Sequence, residues 1–202
     1  MRVITLEDHF ATPMDRGLIP APKGARAAML AQLDERVGYS IEEGLLDLGE
    51  MRLAHMDRAG IDFQVISLTQ PGAQGYDAKT AVPLARDAND RLAEACKKHP
   101  TRFGGFATLA TADPAECVKE LERCVTKLGF KGALISGSTN GEFMDEKKFW
   151  GIFECAEALG VPFYIHPGPP HPLAIKAYFE GPVDPMARAA WGFAIDAGTH
   201  FL

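Results

Sequence analysis

Short runs of apolar, β-branched and aromatic residues alternate along the chain with longer runs in which apolar positions recur every three or four residues. The short runs predict strands, and the longer runs predict amphipathic helices. This alternation is typical of parallel βα units. The predicted strands are Val3 to His9, Asp62 to Thr69, Arg102 to Ala110, Phe130 to Ser136 and Val161 to His166.

Helix signals fill the segments between these strands. Ser40, with a glutamate three residues later, forms a capping box that predicts one helix reaching about Ala59. Asp113 followed by Pro114 is an N-cap and a first-turn proline, and this pair opens a helix that we expect to end near Leu128. The other predicted helices run from Arg26 to Val37, from about Ala81 to Lys98, from about Glu146 to Leu159 and from Pro182 onward.

Five parallel strands joined by helices predict an α/β protein, a TIM-type (β/α)8 barrel of which about five βα units are present. Such a barrel typically takes about 250 residues, whereas this chain has 202. We therefore expect one barrel domain over residues 1–202 that is incomplete at its C-terminus. An open doubly wound sheet is the structural alternative, but it would usually carry a glycine-rich turn after the first strand, where this chain has Glu7, Asp8 and His9.

Composition narrows the classes of function. The net charge of −6, with 27 acidic against 21 basic residues and no basic block, disfavours nucleic-acid binding. The sequence contains neither an apolar run of roughly 20 residues nor a recognisable secretion signal, so we expect a cytoplasmic protein with no membrane partner. The four cysteines lie in predicted helices without a CxxC pair, which favours reduced, buried thiols over a zinc or redox site.

Unusual polar side chains stand at two predicted strand ends. Glu7 and His9 are two residues apart and should project from the same face of the first strand, while Asp8 points to the opposite face. His166 ends the fifth strand. In a barrel these ends converge at the C-terminal mouth, where a carboxylate and two imidazoles are suitable ligands for one divalent metal ion, Zn or Mn. Taken alone, each histidine is more often a hydrogen-bonded structural residue.

Four motifs in chain order carry a resemblance to a known family: LEDHF at the first strand, GFATLA at the third, LGFKGALISG at the fourth and VPFYIHPGPP at the fifth. They resemble the amidohydrolase superfamily, in the branch that contains the aminocarboxymuconate-semialdehyde, hydroxybenzoate and γ-resorcylate (2,6-dihydroxybenzoate) decarboxylases. The resemblance implies that Glu7, His9 and His166 are metal ligands, although some relatives lack a ligand where His9 stands. It also implies a His after a sixth strand and a catalytic Asp after an eighth, which we expect beyond Leu202, so the catalytic residues stay unassigned.

The resemblance further implies a carboxy-lyase: a metal-dependent, non-oxidative decarboxylase of a small hydroxylated aromatic acid such as 2,6-dihydroxybenzoate. A hydrolase of amides or lactones on the same barrel is the first alternative, and a metal-free barrel acting as a binding module is the second. A homodimer or homotetramer is expected from the family.

The segment from His171 to Pro182 is interpreted as a long loop insertion after the fifth strand. Its Tyr178 and Phe179 are candidates for binding an aromatic substrate, with packing of a loop or subunit contact as the alternative. For Trp191 and Phe193 on the following helix, the alternative is a place in the core. We interpret His171 as an exposed loop residue, and His200 is assigned no catalytic role.

Overall fold

The computed structural model describes residues 1–21, 23–168 and 172–179. Its main strands are β1 (Ile4–Phe10), β2 (Phe63–Leu68), β3 (Phe103–Gly105), β4 (Ala133–Ser136) and, after a small hairpin of β5 (Ser138–Thr139) and β6 (Glu142–Phe143), β7 (Phe163–His166). The helices are α1 (Pro13–Leu18), α2 (Gly24–Val37), α3 (Ile41–Leu46), α4 (Glu50–Ala59), α5 (Ala78–Lys98), α6 (Pro114–Thr126), α7 (Trp150–Leu159) and α8 (Pro172–Phe179). All five predicted strands are present.

The five main strands are parallel and neighbour one another in chain order. β1 pairs with β2, β2 with β3, and β4 with β7. A parallel bridge between Ala107 and Ala133 connects the extension of β3 to β4. A doubly wound sheet would reverse its strand order at a switch point, and the described strands do not. Sequential order is the arrangement of a barrel.

Apolar residues pack on both sides of this curved sheet. Between the strands and the helices, the main core buries Phe10, Ile66, Leu92, Leu121 and Ile152, each at most 1% exposed. On the inner side, a smaller cluster joins Val65, Phe106 and Leu134, with Phe63 and Tyr164 packed against it. The alternation of residues along β2 thus separates Val65 and Ser67, which face the inside, from Ile66, which faces the helices.

Two of the predicted helix starts are confirmed in atomic detail. The Ser40 hydroxyl accepts the Glu43 N–H at 3.3 Å, and the Asp113 carboxylate accepts the Glu116 N–H at 3.1 Å. Each satisfies a backbone donor that a helix leaves unpaired at its N-terminus. The capping signals therefore indicated where helices start, although they did not indicate where the helix after Ser40 stops.

The expectation of one helix from Ser40 to Ala59 is wrong, because the chain forms α3 and α4 with a break at residues 47–49. The Asp47 carboxylate accepts the N–H groups of Gly49 and Arg52 at 3.1 and 2.8 Å, and so caps the second helix. An aspartate that bonds nearby backbone N–H groups competes with helix continuation. The break turns the chain and brings Arg52 under the end of β1.

Two short helices occur where loops were expected. α1 lies between the first predicted strand and the helix predicted from Arg26, where no helix was predicted. The Thr12 hydroxyl caps it by accepting the Asp15 N–H at 3.0 Å, and Pro13 begins it. α8 lies within the predicted insertion and also begins at a proline, Pro172. Both starts use a residue type that suits the first helical position. The predicted helix from Pro182 onward lies outside the described residues.

Candidate functional site

The end of β1 presents Glu7 and His9 to the inside of the sheet. A register shift relative to β2 occurs between Thr5 and Asp8, so the strand bulges at the residues between them, one of which is Glu7. The bulge does not change the face on which His9 lies, since His9 is opposite the inward-facing Ser67. The two side chains share a face, as the spacing predicted.

His166, at the end of β7, completes the predicted trio. One candidate ligand atom from each of Glu7, His9 and His166 lies within 4.8 Å of the others. His166 Nε2 is 3.2 Å from Glu7 Oε1, and the two imidazole rings meet edge to face with centroids 5.2 Å apart. Within the described part of the chain, this is the one group of three or more His, Cys, Asp or Glu side chains with such spacing.

Hydrogen bonds on the far side of each ring orient both histidines. His166 Nδ1 lies 2.6 Å from the Pro167 carbonyl oxygen, an acceptor, so Nδ1 acts as the donor here and Nε2 is the ring nitrogen that points to the group. His9 Nδ1 lies 3.2 Å from the Ser67 hydroxyl, which is buried, leaving its Nε2 available. An outer partner on the second ring nitrogen is the usual arrangement of metal-binding histidines.

The electrostatic environment favours a neutral His9. Burial lowers its pKa first of all, and the neighbouring His166 imidazole lowers it further. The carboxylates of Glu7 and Asp8 act in the opposite direction but do not outweigh these effects. A neutral imidazole is the form that binds metal. Two imidazoles and a carboxylate thus form a donor set that fits a divalent ion such as Zn or Mn.

Asp8 turns away from this group, as the sequence predicted. Its Oδ1 accepts a hydrogen bond from the Gln64 side chain at 2.6 Å on the helix-facing side of the sheet. Arg52 lies on the same side and donates to the His9 carbonyl oxygen at 2.7 Å. Arg52 also donates to backbone carbonyls of Gly44 and Asp47. It therefore fixes the backbone of the β1 end to the α3 and α4 region.

Sequence reasoning assigned no role to Ser67 or to Tyr164. The Tyr164 hydroxyl donates to Glu7 Oε2 at 3.0 Å. Burial, then the contact with Glu7, raises the pKa of Tyr164, so the phenol stays protonated as a donor. The available signal was its position two residues before His166, which predicts a side chain on the same face.

A second polar cluster fastens the loops beside this site. Gln74, in the loop after β2, accepts the Ser136 N–H at 2.6 Å and donates to the Ser136 carbonyl at 3.2 Å and the Thr139 hydroxyl at 3.0 Å. Gln70 donates to the Ser136 hydroxyl at 3.0 Å. Ser136 lies opposite His166 in the strand register. These bonds give Ser136 a loop-anchoring role.

The aromatic candidates are placed only in part. Tyr178 and Phe179 are the last two residues of α8, and their side chains lie outside the described structure, so substrate binding by them stays a prediction. His171, Trp191, Phe193 and His200 also lie outside the described residues.

Two cysteines, Cys117 and Cys124, are buried as the sequence indicated, whereas Cys96 and Cys155 are only partly buried. All four are free and lie in helices. Burial raises the pKa of Cys96 to about 11 and moves those of Cys117 and Cys124 higher still. A thiol with a raised pKa is a poor nucleophile and a poor metal ligand. Separately, none of the described helices combines the length and the apolar character that crossing a membrane requires.

Comparison with known proteins agrees with this geometry. The amidohydrolase family model matches residues 10–200, and the chain belongs to this family. The resemblance inferred from the four motifs is confirmed. The fold class, a TIM-type (β/α)8 barrel, is also confirmed by the family and by solved structures that match over nearly the whole chain.

Three relatives illustrate the match. The γ-resorcylate decarboxylase of Polaromonas sp. is 36% identical over 210 residues, which cover 98% of this chain and 60% of that protein. A crystal structure of 5-carboxyvanillate decarboxylase from Novosphingobium aromaticivorans, complexed with manganese and 4-hydroxy-3-methoxy-5-nitrobenzoic acid, matches with 37% identity and a TM-score of 0.81, over 99% of this chain and 59% of that one. A dihydroxybenzoic acid decarboxylase from Polaromonas sp., with bound manganese and the inhibitor 2-nitroresorcinol, matches with 36% identity and a TM-score of 0.76, over 98% of this chain and 59% of that one. The chain spans about 60% of the length of these relatives.

Proposed function

We propose that the protein is a metal-dependent, non-oxidative decarboxylase of a small hydroxylated aromatic acid, with 2,6-dihydroxybenzoate as the first compound to test. The observation that carries this proposal is the convergence of Glu7, His9 and His166, with ligand atoms within 4.8 Å of one another. The decarboxylase relatives, two of them crystallised with manganese, support the choice of reaction and of ion. Mn is therefore our first choice and Zn the second.

In this proposal each residue of the trio has a defined task. Glu7 supplies negative charge, while His9 and His166 each present Nε2, and contacts with Ser67 and the Pro167 carbonyl maintain the orientation of the two rings. A divalent ion, when bound, supplies positive charge that attracts the substrate carboxylate and an adjacent phenolic oxygen. Decarboxylation then requires a proton delivered to the ring carbon that bears the carboxylate. Cleavage of the C–C bond releases CO2 and restores the aromatic ring.

The group that delivers this proton stays a prediction. The family resemblance assigns it to an Asp after an eighth strand, and none of the residues we have described is offered for the role. The single domain over residues 1–202, the homodimer or homotetramer and the cytoplasmic location likewise stay predictions.

The test uses purified protein stripped with a chelator and reloaded with Mn²⁺ or Zn²⁺. We expect reloaded protein to convert 2,6-dihydroxybenzoate to resorcinol and CO2, measured by chromatography and by CO2 release. Glu7→Ala and His166→Ala should each lose metal and activity while the thermal unfolding midpoint of the metal-free protein changes little. Asp8→Asn is the matched control, because it removes a negative charge from the same strand on the opposite face.

Other outcomes separate the alternatives. Hydrolysis of lactones or amides without any CO2 release would refute the decarboxylase in favour of the hydrolase. Binding of far less than one equivalent of metal, with no activity regained on reloading, would favour the metal-free binding module. Unchanged activity in both Glu7→Ala and His166→Ala would remove the trio from the mechanism.

A further inference from the structure

Tyr164 lies between the inner apolar cluster of Val65, Phe106 and Leu134 and the proposed metal ligands. It stands two residues before His166 on β7 and so projects to the same inner face. Its hydroxyl donates to Glu7 Oε2 at 3.0 Å, although Glu7 belongs to β1 and lies 157 positions away in the chain. One strand therefore supplies both a candidate ligand and the hydrogen-bond partner of another.

Contacts with inner apolar side chains hold the Tyr164 ring in place. It stacks on Phe106 with centroids 5.8 Å apart and planes 26° from parallel. It also packs against the inner apolar cluster that contains Val65 and Leu134, and Leu134 is its partner in the strand register. An aromatic side chain has few rotatable bonds, so a packed ring presents its hydroxyl at a well-defined point.

Glu7, by contrast, has little packing of its own. Its side chain is 52% exposed, and a carboxylate on a flexible stem samples several rotamers in such a setting. Two contacts fix the observed one: Oε2 accepts from Tyr164, and Oε1 lies 3.2 Å from His166 Nε2. The hydroxyl thus occupies one carboxylate oxygen and leaves the other directed at the histidines.

We propose that Tyr164 is a positioning residue that holds Glu7 in its ligand rotamer and directs Oε1 toward the cation. This inference rests on the proposed metal site, yet it concerns a residue to which that proposal assigns no role. Outer partners of metal-binding carboxylates and histidines typically change metal affinity by about 10–100-fold when removed. Because Glu7 is half exposed and water can replace the phenol, we expect the lower end of this range.

The test compares Tyr164→Phe with the unmodified protein. Tyr164→Phe keeps the ring and its stacking on Phe106 and deletes only the hydroxyl. We expect the dissociation constant for Mn²⁺, measured by electron paramagnetic resonance, to rise about tenfold. We expect turnover at saturating Mn²⁺ to stay within about twofold, since the role is to place a ligand, and the unfolding midpoint of the metal-free protein to stay unchanged. Tyr39→Phe is the matched control: it deletes a hydroxyl from a ring that packs on His55 at 4.4 Å and should leave Mn²⁺ affinity as it was.

A double-mutant cycle separates positioning from a general structural effect. If Tyr164 acts through Glu7, then Tyr164→Phe should have little further effect on Mn²⁺ affinity in a Glu7→Asp background, where the shorter side chain keeps a carboxylate but draws it away from the Tyr164 hydroxyl. An Mn²⁺ dissociation constant within twofold of the unmodified value in Tyr164→Phe would overturn the inference and leave the metal site standing. An equal loss of Mn²⁺ affinity with Glu7 and with Glu7→Asp would also overturn it. Failure of the unmodified protein to bind any metal would overturn both the site and the inference.

Discussion

Gln74 connects the loop after β2 to the end of β4, and its removal should be among the most damaging single changes near the mouth. The side chain is 8% exposed and pairs with both backbone groups of Ser136. Gln74→Ala would leave the Ser136 N–H and carbonyl without these partners. Each orphaned buried group costs about 1–3 kcal/mol, so we expect a loss of about 3 kcal/mol in the free energy of unfolding. For a protein of this size, that lowers the unfolding midpoint by roughly 6–12 °C.

Gln70→Ala is the matched control for this prediction. It makes the same substitution in the same loop but removes one hydrogen bond, from the Gln70 amide to the Ser136 hydroxyl. The expected loss is about 0.5–1.5 kcal/mol. Urea unfolding followed by circular dichroism measures both variants, and metal affinity provides a second measurement because Ser136 lies opposite His166. A loss below about 1 kcal/mol for Gln74→Ala, or losses that are equal in the two variants, would refute this reasoning.

Two further predictions concern the scaffold. Burial opposes ionisation of Glu120, but the hydrogen bonds it accepts, chiefly from Arg123, outweigh it, and its pKa lies below the ordinary 4.5. A carboxyl group whose pKa is depressed in the folded protein contributes stability above its unfolded pKa, and this stability is lost as pH falls through its folded pKa. The stability advantage of the unmodified protein over Glu120→Gln, measured by urea unfolding, should therefore shrink below about pH 4.5. A difference that stays constant with pH would contradict this. Gly132→Ala should destabilise the fold by at least about 2 kcal/mol, because at φ 153° a Cβ would lie 2.3 Å from the Pro162 carbonyl oxygen. Gly129→Ala is the control for backbone strain without a steric clash, because Gly129 has φ 75° and no atom lies near its added Cβ. This substitution should cost only about 1–2 kcal/mol.

The positions of the candidate ligands could be predicted because each depends on a short-range rule. Side chains two apart on a strand share a face, which brings Glu7 and His9 together. Parallel strands of a barrel end at one mouth, which brings His166 to them. Neither rule requires knowledge of a specific contact. The same rules correctly predicted that Asp8 lies on the opposite face, where its carboxylate accepts a hydrogen bond from Gln64.

The partners of these ligands could not be predicted, because they depend on register and on competing local hydrogen bonds. Ser67 reaches His9 only in the register that follows the bulge in β1. Arg52 reaches the His9 carbonyl only because Asp47 interrupts the helix that Ser40 begins. Apolar periodicity carries no information on either event. An Asp two residues before a glycine was a signal of the break, but the capping box upstream made a continuous helix the simpler prediction.

The contact between Glu7 and His166 bears on the fold and the site at once. β1 and β7 are the first and last of five neighbouring strands, and in a flat sheet four steps of about 4.8 Å would separate them by roughly 19 Å. Glu7 Oε1 and His166 Nε2 are nevertheless 3.2 Å apart, and the Tyr164 hydroxyl and Glu7 Oε2 are 3.0 Å apart. Such proximity requires a sheet curved so that the first and fifth strands face each other across the barrel interior. One contact joins two proposed ligands, Glu7 and His166, and the other joins Glu7 to Tyr164. The curvature that defines the barrel therefore also assembles the proposed metal site.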